Sequence, residues 1–487
     1  MLTATVAGVQ VDTRHWIGGE RVASAQTFTD VSPIDGQVLA EVARGGQAEA
    51  NAAVAAAVAA FPAWARLSPA ERGAILHRVA DNVEAHIEEL AQLETTDNGS
   101  LLRSHRRGVM PRVVMNLRFF ADYAMERLQY PVFETRGHSN HVSWDPSGVA
   151  AIITPWNAPL MLATWRIGPA LAAGDTVVLK PPEWAPLTAS YFAELAHEAG
   201  LPAGVFNVLQ GFGPEAGAAL AGHPDIARIC FTGSVPTAKK VAHAAAENLV
   251  PCSFELGGKS PTVILDDADL DLAVDLAVEQ YDNAGQVCLA GTRLLVQRGI
   301  AEAFAARFAA RAAEIRQGDP RDEATQIGPN IHLDHVARVE GFVMRAREQG
   351  ARVVFGGARN TDLGTHYFHP TLIVDAEAGS EILTQEVFGP VLTMQIFDTD
   401  DEGLALANGT EFGLAACVVT GSRARAESFC KHLVAGTIWV NCFFVRDLAA
   451  PFGGSRKSGI GREGGIWSFD FYADVKNTVY SPNGWRE

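Results

Sequence analysis

The sequence predicts an α/β protein built on doubly wound parallel sheets, and three observations lead there. From Gly148 onward, short apolar runs of strand length alternate with helical stretches, the order in which crossover helices join parallel strands. Several of those runs end in turns carrying Gly, Pro or Asn where a helix begins, and such sheets keep their ligand crevice at that point. The 487 residues, 48% hydrophobic and 20% charged, are ordinary for a globular chain and long enough for about two or three domains.

The elements follow in order. An alanine–valine run at 51–60 and the string Ser68-Pro69-Ala70-Glu71 open the helical part. Ser68 reads as the N-cap, Pro69 as the first helical residue and Glu71 as the other half of a capping box. One helical stretch is expected from Ala70 to about Asp97. A further helix is expected after Pro111, with Val113, Leu117 and Phe120 on one face. Strands are expected at 149–153, 176–179, 205–209 and 226–231, then at 261–265, 293–297 and 352–355. The run from Asp470 to Tyr480 reads as one more strand. Its apolar residues would be exposed on a lone tail, and its open edge invites pairing.

Composition excludes several functions. Against 39 basic residues stand 56 acidic ones, a net charge of −17. Such a surface repels phosphate backbones and anionic lipid, so neither nucleic acid nor a membrane is an expected partner. No apolar run is long enough to span a bilayer, and Met1 to Glu20 lacks the basic start and apolar core of a signal peptide. The six cysteines form no C-x-x-C pair, so no metal site and no disulfide framework is expected. A reducing cytoplasm is the expected compartment.

The residues that carry chemistry cluster at turns. Cys288 sits in Gly285-Gln286-Val287-Cys288, where glycine lets the backbone approach a ligand closely. A thiol needs help to act as a nucleophile near neutrality, and Glu255, in Glu255-Leu256-Gly257-Gly258-Lys259, is a candidate base. Asn157 follows an expected strand, and its amide can donate to a developing oxyanion. Three glycine features point to a dinucleotide. Gly211, Gly213 and Gly217 follow the strand ending at Leu209. Phe231-Thr232-Gly233-Ser234 opens a helix whose free N–H groups can hold a phosphate. Lys180 and Glu183 end a third strand and suit ribose hydroxyls.

Together these strings resemble the NAD(P)-dependent aldehyde dehydrogenase superfamily along nearly the whole chain. Pro155-Trp156-Asn157, Phe231-Thr232-Gly233-Ser234, Glu255-Leu256-Gly257-Gly258-Lys259, Gly285-Gln286-Val287-Cys288, Glu386-Val387-Phe388-Gly389-Pro390 and Pro451-Phe452-Gly453-Gly454 occur in the family's order. The resemblance implies oxidation of an aldehyde to the acid. Cys288 would be the nucleophile, Asn157 with the Cys288 N–H the oxyanion donors, and Glu255 the base that activates the hydrolytic water. It implies NAD as cofactor, held by Trp156, Lys180, Glu183, Gly213, Gly217, Phe231, Gly233, Ser234, Leu256, Gly257, Glu386 and Phe388. The carboxylate of Glu183 would repel a 2′-phosphate, favouring NAD over NADP. The implied domains are a cofactor-binding domain at 1–127 and 147–256, a catalytic domain at 257–456, and oligomerisation segments at 128–146 and 466–487. A hairpin from about Gln129 to Trp144 and the C-terminal strand would bridge subunits of a homodimer or homotetramer.

Two departures from the family pattern stand out. Arg166 follows Trp165 where the family usually has lysine, which is thought to share a proton relay with a glutamate matching Glu463. Arginine stays protonated, so Arg166 is not expected to shuttle a proton; replacing the lysine only structurally and forming a fixed ion pair with Glu463 are the two roles left to it. Ala238 stands where many members carry glycine. The strings Pro111-Arg112, Arg118-Phe119-Phe120-Ala121 and Val445-Arg446-Asp447-Leu448 look like the hydroxymuconic semialdehyde branch. Arg112 and Arg446 would then pair the carboxylate of an acidic aldehyde, with Phe443 beside them. The alternatives are structural ion pairs of both arginines with acids such as Asp447, a neutral aromatic or aliphatic aldehyde as substrate, and a catalytically silent family member.

Overall fold

A computed structural model describes residues 2–128 and 130–485. Met1, Gln129, Arg486 and Glu487, which the expected domain segments and hairpin include, lie outside the described residues. Eight strands form the first sheet in the order Gly459–Ile460, Cys252–Leu256, Arg228–Gly233, Val149–Ile153, Thr176–Lys180, Phe206–Val208, His15–Ile17 and Glu20–Val22. Its central strands are parallel and its ends are finished by antiparallel additions. The second sheet orders Arg352–Phe355, Thr371–Val374, Val391–Phe397, Arg293–Gln297, Pro261–Ile264, Ala415–Val419 and Thr437–Val440. Only Arg352–Phe355, at the edge, is antiparallel there.

The continuous apolar strands are covered on both faces, as parallel strands are. Ala150, Ile152, Val177 and Leu179 pack with Leu160, Ile167 and Phe192 of the helices Pro159–Ala173 and Leu187–Glu198. Val149, Ala151, Ile153 and Val178 pack the other way, with Ala50, Val54 and Val241 of Gln47–Ala65 and Val235–Ala246. The capping box at Ser68 forms, with Pro69 opening the helix Pro69–Ala85.

Two expectations need correction. The helical stretch from Ala70 to Asp97 breaks at His86, whose φ of −111° and ψ of 21° end one helix before Ile87–Asn98 begins. The break lets Leu76, Val79 and Val83 face one core while Leu93 reaches another. The C-terminal strand is Ala473–Tyr480, because Asp470–Tyr472 close a helix, Gly465–Tyr472. There Phe469 stacks on Tyr123 at 5.6 Å, and the Ser468 hydroxyl accepts the Gly464 N–H at 2.8 Å. Ala473–Tyr480 then pairs antiparallel with His138–Pro146, which pairs with Val132–Thr135. Among the described residues no single helix is long and apolar enough to cross a membrane.

Candidate active site

The loop before Cys288 is conformationally costly. Asn283, Ala284 and Gly285 all take left-handed φ values, 50°, 55° and 70°, which L-residues adopt only when surroundings hold them. A side chain at Gly285 would run into the Gly389 carbonyl. Gln286, buried, donates from Nε2 to the Asn283 carbonyl at 3.0 Å and accepts the Ile331 N–H at 2.9 Å. Cys288 is thereby fixed on the wall of a cavity of about 370 Å³ lying between the two sheets. Its thiol is pushed up to about 12, first by its apolar surroundings and then by Glu386 and Glu255; the Arg446 cation opposes them. A wider depression of about 1060 Å³ beside Ala309–Ala313 shares no lining residue with this cavity and holds no sequence-predicted site residue.

Asn157 and Glu255 reach the same cavity from the first sheet. Asn157 donates one amide hydrogen to the Gln286 carbonyl at 3.0 Å, which ties the end of strand Val149–Ile153 to the loop that carries Cys288. Glu255 is 5% exposed, and its Oε1 has no hydrogen-bond partner. Gly453 backs it, since a Cβ there would lie 3.0 Å from that oxygen. Burial pushes the Glu255 carboxyl up to about 8, with the Glu463 charge adding to it and Arg166 and Arg446 opposing.

The expected cofactor residues fall into two groups. Trp156, Gly233, Ser234, Leu256, Gly257, Glu386 and Phe388 line the cavity with Cys288. Glu386 accepts the Gly258 N–H at 2.9 Å, and a side chain at Gly257 would run into its carboxylate. Ser234 caps the helix Val235–Ala246, accepting the Thr237 N–H. Phe231 lies behind the wall, its ring 2.5 Å from where a Gly233 Cβ would stand. The second group lies off the cavity. Lys180, buried, pairs with Glu183 at 2.6 Å. Gly213 and Gly217 bound a helical turn whose Glu215 pairs with Arg44.

Arg166 and Glu463 form a buried ion pair at 3.2 Å. Glu463 also accepts the Trp165 indole N–H at 2.5 Å and faces the Cys230 thiol at 3.4 Å. Burial alone would lower Arg166, but Cys230 and Glu463 hold it above its ordinary value. Arg446 lines the cavity over the Phe452 ring at 3.6 Å and the Trp165 ring at 5.1 Å, and its Nη2 is buried without a partner. Arg112 sits 5.7 Å from the same Trp165 ring, donating to Asn116 Oδ1 at 3.1 Å. Asp447 instead accepts the Ala449 N–H at 2.7 Å and pairs with neither arginine among the described residues. Phe443 packs on Trp439 at 5.2 Å, and the cavity wall is taken by Phe444.

Sequence reasoning missed several wall residues, among them Trp184, His335 and Arg338. Arg338 donates to the Glu386 carbonyl at 2.6 Å and the Val387 carbonyl at 2.5 Å, and His335 Nε2 lies 2.7 Å from the Phe388 carbonyl. They hold Phe388 at its left-handed φ of 58°. Their i, i+3 spacing places them on one face of the helix Leu333–Glu348, the one signal the sequence offers.

A model of the aldehyde dehydrogenase family matches residues 21–478. The chain is 43% identical to a 2-hydroxymuconic semialdehyde dehydrogenase of Pseudomonas sp. (strain CF600), covering 95% of this chain and 98% of that one. It is 40% identical to a 5-carboxymethyl-2-hydroxymuconate semialdehyde dehydrogenase of Escherichia coli, over 93% and 98%. Among solved structures, an indole-3-acetaldehyde dehydrogenase of P. syringae in complex with NAD+ and IAA superposes with a TM-score of 0.95 at 40% identity, covering 97% of each chain. The arrangement of Cys288, Glu255 and Asn157 about one cavity, the two sheets and these likenesses lead to one conclusion: this chain belongs to the aldehyde dehydrogenase family.

Proposed function

We propose that this chain oxidises a carboxylated semialdehyde of the hydroxymuconic type to the corresponding acid, with NAD as cofactor. The observation that carries the proposal is Arg446, half-buried but with its Nη2 buried and unpartnered on the same cavity wall as Cys288. A buried unpaired charge is costly, and a substrate carboxylate relieves it through a charge-assisted pair. Arg112, off the cavity wall but over the same Trp165 ring, adds to the positive field.

The chain's residues suit each step. Cys288 Sγ bonds to the aldehyde carbon as its proton passes to solvent, which leaves the Glu255 carboxylate free for the hydrolytic step. Asn157 keeps a second amide hydrogen for the oxyanion, beside the Cys288 N–H. The residues suit the cofactor: Glu386 on the cavity wall and Glu183 beyond it offer carboxylates for ribose hydroxyls, and the capped helix end at Ser234 suits phosphate. NAD held by these residues would supply the hydride acceptor by which the Cys288 thiohemiacetal becomes a thioester. Glu255, raised to about 8, then takes a proton from water as that water attacks the thioester carbon, releasing the acid and the thiol. We assign cofactor binding to 1–127 and 147–256, catalysis to 257–456 and assembly to 128–146 and 466–487.

The test is a substrate panel read at the NADH absorbance. A muconic semialdehyde should have a higher kcat/KM than neutral aromatic or aliphatic aldehydes. Preference for a neutral aldehyde would end the substrate assignment and leave the dehydrogenase reading standing.

A further inference from the structure

Trp184 and His332 form a ring stack at the cofactor side of the cavity. Their centroids are 4.6 Å apart and their planes differ by 3°. Trp184 follows Glu183 on the loop after strand Thr176–Lys180 of the first sheet, and it lines the cavity. His332 caps the helix Leu333–Glu348, which packs on the second sheet through Val339, Val343 and Ile373. Its Nδ1 accepts the Asp334 N–H at 3.1 Å, so the imidazole plane is fixed from the catalytic half. The stack therefore joins the two halves of the molecule across the mouth of the cleft. It also ends a chain of rings: Trp184 meets Trp156 at 5.9 Å, and Trp156 meets His335 at 5.2 Å and Phe388 at 5.3 Å.

We propose that the Trp184–His332 stack is a clasp that retains the dinucleotide, with His332 as the positioning residue that holds the Trp184 ring against the cofactor. The inference rests on the reading that this cleft takes NAD. Trp184 stands between Glu183, whose carboxylate suits ribose hydroxyls, and Trp156 on the cavity wall, so cofactor leaving the cleft passes this ring. Release requires the stack to part, because its two members belong to different sheets. A clasp of this kind acts on the lifetime of the bound cofactor, and the hydride step needs no direct contribution from either ring.

The test is NADH dissociation, followed by stopped-flow fluorescence on displacement with excess NAD, in wild type, Trp184→Ala, His332→Ala, the double variant and Trp184→Phe. Each alanine variant should release NADH roughly three- to tenfold faster, the span that one aromatic pair is worth. The double variant should be no faster than the faster single one, and Trp184→Phe, which keeps a ring, should stay near wild type. His332→Ala should also change tryptophan emission, since Trp184 loses its stacked neighbour. Unchanged dissociation in both single variants, or effects that multiply in the double, would overturn the clasp. A wild-type protein that binds no NADH would overturn the cofactor reading itself, and the clasp with it.

Discussion

The tasks we propose for Cys288 and Glu255 are opposite, and their environments suit them. The thiol, pushed up to about 12, is neutral in the resting protein and becomes a nucleophile only as its proton is taken. Glu255, at about 8, is mostly protonated near neutrality. Only the ionised carboxylate is a base, so deacylation should rise about tenfold per pH unit below 8 and flatten above it; a rate independent of pH between 6 and 9 would remove Glu255 from that role. Cys288→Ala should abolish aldehyde oxidation while NAD binding, followed by calorimetry, persists. Arg446→Ala should raise KM for a carboxylated semialdehyde by one to two orders of magnitude, since a charge-assisted pair is worth about 1.5–3 kcal/mol, and neutral aldehydes should lose much less. Equal losses for both substrate classes would make Arg446 a packing residue. The motif strings made Cys288, Glu255 and Asn157 legible because each sits in a short local pattern. The unpartnered Nη2 of Arg446 was not legible, because it depends on Asp447 turning away to its own N–H contact with Ala449.

At the scale of elements, the cavity wall at Glu386 to Phe388 is held from behind. Arg338 and His335 clamp the carbonyls of Glu386 to Phe388, so Arg338→Gln should raise the KM for NAD more than it lowers kcat; an unchanged KM would show that the loop holds itself. The pair of Arg166 and Glu463 is equally fixed. Arg166→Met leaves a buried carboxylate without its cation and should cost about 3–5 kcal/mol of stability, read from denaturant unfolding, whereas a cost within error would contradict a structural role. Strands such as Val149–Ile153 were legible because full burial on both faces writes an unbroken apolar run. The break at His86 was not, since no Gly or Pro marks it and the competing cores on either side decide it. The helix Gly465–Tyr472 was hidden for a similar reason: Phe469 and Tyr472 suit a strand as well as a helix until Tyr123 and the core define the partner.

For the whole molecule, the two large sheets and the cavity between them follow from the alternation of apolar runs and helices. Their edges do not, because Gly459–Ile460 joins the first sheet from far along the chain. The third sheet, Ala473–Tyr480 with His138–Pro146 and Val132–Thr135, leaves Val132, Phe133, Val475 and Val479 more than half exposed. Apolar residues on an open sheet edge invite pairing. Light scattering at micromolar concentration should give a dimer or tetramer, and a monomer would count against the assembly segments. The central claim, that aldehyde carbon is oxidised while bound to Cys288 and released by Glu255, is tested most directly on Glu255→Gln. Mixed with NAD and a muconic semialdehyde, this variant should give a burst of NADH near one equivalent per site. Intact-protein mass spectrometry should then find the acyl group on Cys288. Steady turnover at the wild-type rate, with no burst and no added mass, would contradict the account.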